Sequence, residues 1–221
     1  MTDIQELIKG FQRFRVKSFE PNRELFNRLA MQGQTPHTLL IGCSDSRADP
    51  AILTDSAPGD LFVVRNVANL VPPYETKGLY HGTSAALEFA VCNLDVHNIV
   101  VLGHSHCGGI KALLGGYGEH DEGEGFISPW VQIAAPARDE VVHRWADSSI
   151  EFKQRACERV GVRVSLNNLM TFPFIRQRVE EGRLFLYGWY YDLENGELMQ
   201  YDPEKDRFYD LYLGPASETE S

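Results

Sequence analysis

Hydrophobic positions change their period along the chain, and the changes mark out its elements. Ile4, Leu7, Ile8, Phe11 and Phe14 recur at the spacing of one helical face, with Thr2 as a cap. Pro21 ends that stretch, and Asn22 opens a second short helix that turns Leu25, Phe26 and Leu29 inward. The stripe is expected to cover the core of its own domain, a partner subunit being the alternative. After a turn at Gln32–Pro36 the pattern switches to short continuous apolar runs at 38–42, 61–64, 99–102 and 184–189. Runs this short, bounded by Gly, Asp and Asn, read as buried strands. Helical periods fill the gaps: 81–94, 128–145 with a break near Pro136, 150–170, and 171–181 stopped by Gly182. Asp49-Pro50 reads as a cap with proline in the first turn of a further short helix.

A turn at 194–197 folds the last run into an antiparallel edge strand at 198–201. The expected fold is α/β, a mainly parallel sheet of four strands with that antiparallel edge strand, flanked by helices and preceded by a helical arm. One domain is expected over 1–213, with 1–33 as the arm and 214–221 as a disordered tail. Glu119, Asp121, Glu122 and Glu124 among glycines read as a mobile, solvated acidic loop.

Composition narrows the partners. A net charge of −10 over 221 residues lacks the basic footprint that nucleic acid or an anionic membrane requires. No apolar run approaches the ~20 residues needed to span a bilayer. The acidic, polar start Met1–Glu6 does not read as an export signal, so a reducing, cytoplasmic compartment is expected. Four cysteines are too few for a disulfide scaffold in a chain of this length, which favours metal or catalytic roles.

The chemistry gathers at two strand ends. The first run delivers Cys43-Ser44-Asp45-Ser46-Arg47, and the third delivers His104-Ser105-His106-Cys107-Gly108-Gly109. In open α/β sheets the carboxyl ends of strands are where ligands bind. Cys43, His104 and Cys107 make a Cys2His set, used where zinc keeps a fourth position open for catalysis. Two thiolates neutralise the Zn2+ charge, so a water on it should titrate toward the upper end of the range from about 7 to about 9. Asp45 has two possible roles: a fourth ligand closing the site, or a carboxylate held by Arg47 that accepts a hydrogen bond from the zinc-bound hydroxide and aims its lone pair. A metal-free cysteine hydrolase using Cys43 or Cys107 with His104 and Asp45 is the competing class.

Other reactive residues have plainer readings. Cys92 and Cys157 read as buried small hydrophobes on helices. His106 reads as a solvent-facing or hydrogen-bonded loop residue, with proton transfer as the alternative. Arg65 is either catalytic or bonded to loop carbonyls or a partner subunit, and Trp189 and Tyr190 belong to core and interface. The glycines at 103–109 lack the spacing of a phosphate-binding turn.

Cys43-x-Asp45-x-Arg47 with His104-x-x-Cys107 resembles the β-class carbonic anhydrases. The likeness extends through Gly59–Asn69, Gly103–Gly109 and Gly188–Asp192, and covers roughly residues 5 to 205. It implies reversible hydration of CO2 to bicarbonate and a proton, with one Zn2+ per chain on Cys43, His104 and Cys107, and Asp45 with Arg47 as an orienting dyad. It also implies a homodimer with the active site at its interface, with a tetramer or octamer as the further assembly. The plant-like branch of that family matches at Gln34, Phe62, Val67, Tyr80 and Gly108, which the resemblance places around the substrate. A branch that closes its zinc site with the aspartate uses a tryptophan where this chain has Leu40, although Arg65 of that branch's bicarbonate pocket is present. The resemblance thus implies an open site without a bicarbonate switch. Carbon disulfide or carbonyl sulfide hydrolysis, found within the family on nearly the same ligands, is the alternative reaction.

Overall fold

A computed structural model of the chain describes residues 3–78, 80–115 and 125–211. Its strands are β1 (Thr38–Cys43), β2 (Leu61–Asn66), β3 (Asn98–His104), β4 (Phe185–Asp192), β5 (Glu197–Asp202) and β6 (Arg207–Asp210). They form one sheet in the order β2-β1-β3-β4-β5-β6. β2, β1, β3 and β4 run parallel, and β5 and β6 add on antiparallel.

The apolar runs are explained by burial on both faces. From β1 and β3, Leu39, Ile41, Ile99 and Val101 pack into one core with Leu87, Val162, Leu169 and Ile175. Leu40, Val100 and Leu102 point the other way, against Leu53, Leu61 and Trp189. β2 departs from the expectation of a buried strand. It lies at the sheet's edge with Val63 40% exposed, because a four-residue apolar run carries no information on how many neighbours it has. The edge beyond β5 is also different. β6 covers it, with Phe208 packed on Tyr190 and Tyr201, and so short a strand flanked by charges leaves little periodic trace.

Helices α1 (Ile4–Phe14), α2 (Arg23–Gln32), α3 (Pro50–Leu53), α4 (Gly82–Glu88) and α5 (Gly108–Leu114) come before the acidic stretch. α6 (Ile127–Val131), α7 (Ala135–Arg144), α8 (Ile150–Leu169) and α9 (Pro173–Glu180) follow it. Asp49 caps α3 by accepting the Ala51 and Ile52 amides, as Asp-Pro implied. Ser149 caps α8 at the Phe152 amide. The amphipathic stripe of α1 does not cover the chain's own core: Ile4, Leu7 and Phe11 are 62%, 60% and 61% exposed. Phe14, still 40% exposed, meets Phe26 edge-on within the arm with ring centroids 5.9 Å apart. The periodicity was real, but the surface that would receive the stripe is not part of this chain's own core.

α8 lies directly on β3 and β4, and glycines permit the approach. A Cβ on Gly103 would sit 2.6 Å from Val162 Cγ2, and one on Gly188 would sit 2.9 Å from both Leu166 and Val162. Residues 116–124 of the acidic loop and the expected tail, 214–221, lie outside the described residues. No described helix is long and apolar enough to cross a membrane.

Gly103→Ala should therefore destabilise the protein by about 1–3 kcal/mol through overpacking. Adding Val162→Ala should recover part of that loss in urea denaturation. An additive double variant would show that the two side chains do not collide.

Candidate metal centre

Parallel register brings the two reactive loops together. β1 and β3 are neighbours, with Gly42 opposite Leu102, so Cys43 and His104 leave the sheet side by side at its carboxyl edge. Each loop is then tied to the next strand: the Ser44 amide donates to Asn66 O and the Ser105 amide to Tyr191 O, both at 2.9 Å. Arg65 clamps the first loop, donating to Cys43 O (2.9 Å), Asp45 O (2.7 Å) and the Asp49 carboxylate (2.6 Å). The arginine read as either catalytic or carbonyl-bonding is thus committed to loop carbonyls. His106 takes the left-handed conformation (φ 58°), which reverses the chain so that Cys107 caps α5.

The Cys43, His104 and Cys107 ligand atoms lie within 4.8 Å of one another, and all three residues are buried. His104 Nδ1 is 2.8 Å from Ser105 O. A carbonyl only accepts, so Nδ1 carries the proton and Nε2 keeps a lone pair. That Nε2 is buried without a hydrogen-bond partner. An orphaned imidazole nitrogen facing two thiols is the donor set a tetrahedral zinc takes. The residues fit that metal.

Without a metal, the cluster holds its protons in common. The Cys107 thiol donates toward Cys43, and that bond keeps the Cys43 pKa below its usual value against the opposing effect of burial. The same interaction, with burial added, pushes Cys107 above its usual value. For His104, burial opposes charging, but the adjacent Cys43 thiolate outweighs it and the net direction is upward.

Asp45 and Arg47 meet as a paired ion bridge. Asp45 Oδ1 accepts the Arg47 amide and Nε, both at 2.9 Å, and Oδ2 accepts Arg47 Nη2 at 2.7 Å. Oδ2 also lies 4.0 Å from His104 Nε2, on the side of the ligand cluster. The Arg47 hydrogen bonds hold the Asp45 carboxyl well below the usual carboxylate range. Arg47 also donates to His106 O at 3.2 Å, joining the two loops.

The remaining candidates divide. Val67 packs against the cluster that contains Cys43 and Cys107, and its Cγ1 is 2.8 Å from where a Cβ on Gly109 would lie. At Gly108 a Cβ would meet nothing within 4 Å, so the backbone there is open. Phe62 is opposite Leu39, four residues before the Cys43–Asn66 pair, hence about 13 Å back along the strand. Gln34 precedes β1 at the amino edge of the sheet, and Tyr80 is 94% exposed. Phe62 and Gln34 thus lie toward the other end of the sheet from their own chain's ligands. Leu40 is buried on the face of β1 opposite Cys43.

His106 is an exposed loop residue hydrogen-bonded to Glu194. Cys157 is buried as expected, whereas Cys92 is exposed. Cys92 follows Glu88 and Phe89, both exposed, by four and three residues, so it shares their outward face despite its apolar neighbours in sequence.

The residue that sequence reasoning missed is Glu158, 3% exposed and hydrogen-bonded to the Cys107 amide at 2.9 Å. Its trace in the sequence is a charge on the buried stripe of α8, in step with Val162, Ser165 and Leu169.

The carbonic anhydrase family model matches residues 38–198. Beta carbonic anhydrase 3 of Arabidopsis thaliana is 40% identical over 194 residues, 87% of this chain and 74% of its own length. The structure of the beta-carbonic anhydrase CcaA superposes with a TM-score of 0.88 at 37% identity, covering 95% of this chain and 92% of that one. A structure reported among two tetrameric beta-carbonic anhydrases of Sordaria macrospora gives 0.75 at 28% identity, covering 96% and 98%.

Because the free cluster retains protons that a metal must displace, zinc affinity should rise with pH from 6 to 8. Competition against a chromophoric chelator should show that slope, with one zinc per chain and loss of binding in Cys107→Ser. A pH-independent affinity would contradict the shared-proton description.

Proposed function

The chain belongs to the β-class carbonic anhydrases and catalyses the zinc-dependent reversible hydration of CO2, and we propose that Asp45 and Arg47 are the dyad that orients the attacking water. Cys43, His104 and Cys107 would hold the zinc, which when bound would supply Lewis-acid activation of water. Asp45 Oδ2 carries the argument. It is the carboxylate oxygen with acceptor capacity left after Arg47 has taken its share, and it faces the ligand cluster. Kept ionised by Arg47, it accepts a hydrogen of the attacking water and aims the oxygen lone pair away from itself, toward the carbon of CO2. Three hydrogen bonds from Arg47 also resist any swing of Asp45 onto the metal, which supports an open site.

Substrate fits the same surroundings. The apolar side chain of Val67 suits uncharged CO2, and the unobstructed backbone at Gly108 offers an amide to one of its oxygens. Leu40 in place of the closed-site branch's tryptophan, with the Arg65 guanidinium committed to the Cys43 loop, supports a site without a bicarbonate switch.

The reading extends to a homodimer with its sites at the interface. Gln34 and Phe62 lie away from their own chain's ligands and Tyr80 is exposed, which supports a place for all three beside substrate in the partner's site. The exposed stripe of α1 supplies an apolar surface for that association. Further assembly to a tetramer follows the form reported for the Sordaria macrospora relatives. The four free thiols suit a reducing compartment such as the cytoplasm.

Asp45→Asn should retain zinc and lower kcat/KM for CO2 hydration by about 100-fold or more. Parent-like turnover would remove the dyad from the mechanism. Phe11→Glu should shift the protein toward monomer in sedimentation velocity and lower activity in parallel. A monomer with full activity would show that each site is complete within one chain.

A further inference from the structure

Glu158 lies in the core beneath the metal loops, on the sheet-facing stripe of α8. Its Oε1 accepts the Cys107 amide at 2.9 Å and Gln154 Nε2 at 3.0 Å, while Oε2 accepts the Tyr190 hydroxyl at 2.8 Å and Arg155 Nη1 at 3.3 Å. A carboxylate offers about four acceptor sites, so this one is saturated. Burial and the Glu158 charge both raise the Tyr190 pKa, so the phenol keeps its proton and remains the donor.

A buried carboxylate is costly even when paired, and an apolar side chain of the same volume often stabilises a core at least as well. Stability alone therefore does not explain the charge. What Glu158 touches does. Cys107 stands between left-handed His106 and the first turn of α5, and its amide at this junction is buried. Left unpaired, that amide would lose a full desolvation penalty, and any rotation of its peptide would swing Sγ away from Cys43 and His104.

We infer that Glu158 is a positioning residue for the zinc centre: by accepting the Cys107 N–H it fixes the peptide that aims Cys107 Sγ at the other two ligands. Its negative charge, carried to the thiolate through the backbone of Cys107, also favours a divalent cation there. The inference rests on the zinc centre described above. Outer partners of metal ligands commonly change metal affinity by about 10–100-fold when replaced.

The test uses the zinc-loaded full chain and three variants, Glu158→Gln, Glu158→Leu and Tyr190→Phe. Zinc transfer to a competing chelator gives retention, and the thiolate-to-metal charge-transfer band after cobalt(II) substitution reports the thiolate geometry. Glu158→Gln keeps the shape but removes the charge. It also replaces one of two oxygens that each accept two hydrogen bonds by an NH2 that only donates, so the hold on the Cys107 N–H is weakened or lost. It should hold zinc about 10–100-fold more weakly and shift the cobalt band. Tyr190→Phe removes a donor from the same carboxylate without touching Cys107, and should lower thermal stability while leaving both readouts at the parent values. Glu158→Leu, where it folds, should exceed Glu158→Gln on both readouts; where it does not, Glu158→Gln decides. Parent-like retention and spectrum in Glu158→Gln would overturn the inference. So would an equal change in Tyr190→Phe, the mark of general loosening between α8 and the sheet. A parent chain that retains no zinc would overturn the metal centre itself, a separate failure.

Discussion

The parallel pairing of β1 with β3 is the constraint on which the site depends. Because the two strands stop at nearly the same level, the residues that follow them emerge together, and two loops about sixty residues apart in sequence share one patch of space. A register shift of one residue would turn Cys43 to the opposite face of the sheet, where Leu40 now sits. The apolar alternation that buries Leu39 and Ile41 on one side therefore also decides where the thiol points. Packing and catalysis are fixed by the same choice.

Around that pairing, several polar groups of the two loops are held by partners while one ligand nitrogen is left free. Ser105 O takes the His104 Nδ1 proton, Ser105 Oγ accepts the Leu193 amide, Arg65 occupies the first loop's carbonyls, and Glu158 takes the Cys107 amide. His104 Nε2 alone is left without a partner among these atoms. Satisfying the surroundings and leaving one lone pair free is how a protein holds a site ready for a cation without letting its loops relax into hydrogen bonds of their own.

The sequence made the reactive loops legible because strand ends and metal ligands both leave local marks. Short apolar runs ended in Cys43 and His104, and His104-x-x-Cys107 is compact enough to read directly. Asp45 with Arg47 was legible in the same way, as a carboxylate and a guanidinium two residues apart. Features set by distant contacts were not. The edge position of β2 depends on which strand pairs with which, and β6 depends on the Tyr190–Phe208 and Tyr201–Phe208 contacts. The α1 stripe announced a buried face but not whose, and exposure of Ile4, Leu7 and Phe11 shows that periodicity cannot name the surface it meets. Glu158 was hidden because its meaning lies in an amide 51 positions away, which no window of the sequence contains.

Stopped-flow CO2 hydration, measured on protein of known zinc content near pH 8.5 as zinc is added back to the stripped chain, tests the central claim most directly. Turnover that rises in proportion to bound zinc and saturates at one equivalent per chain is the predicted result. Full zinc occupancy without hydration would contradict the account, as would turnover that persists in the stripped protein.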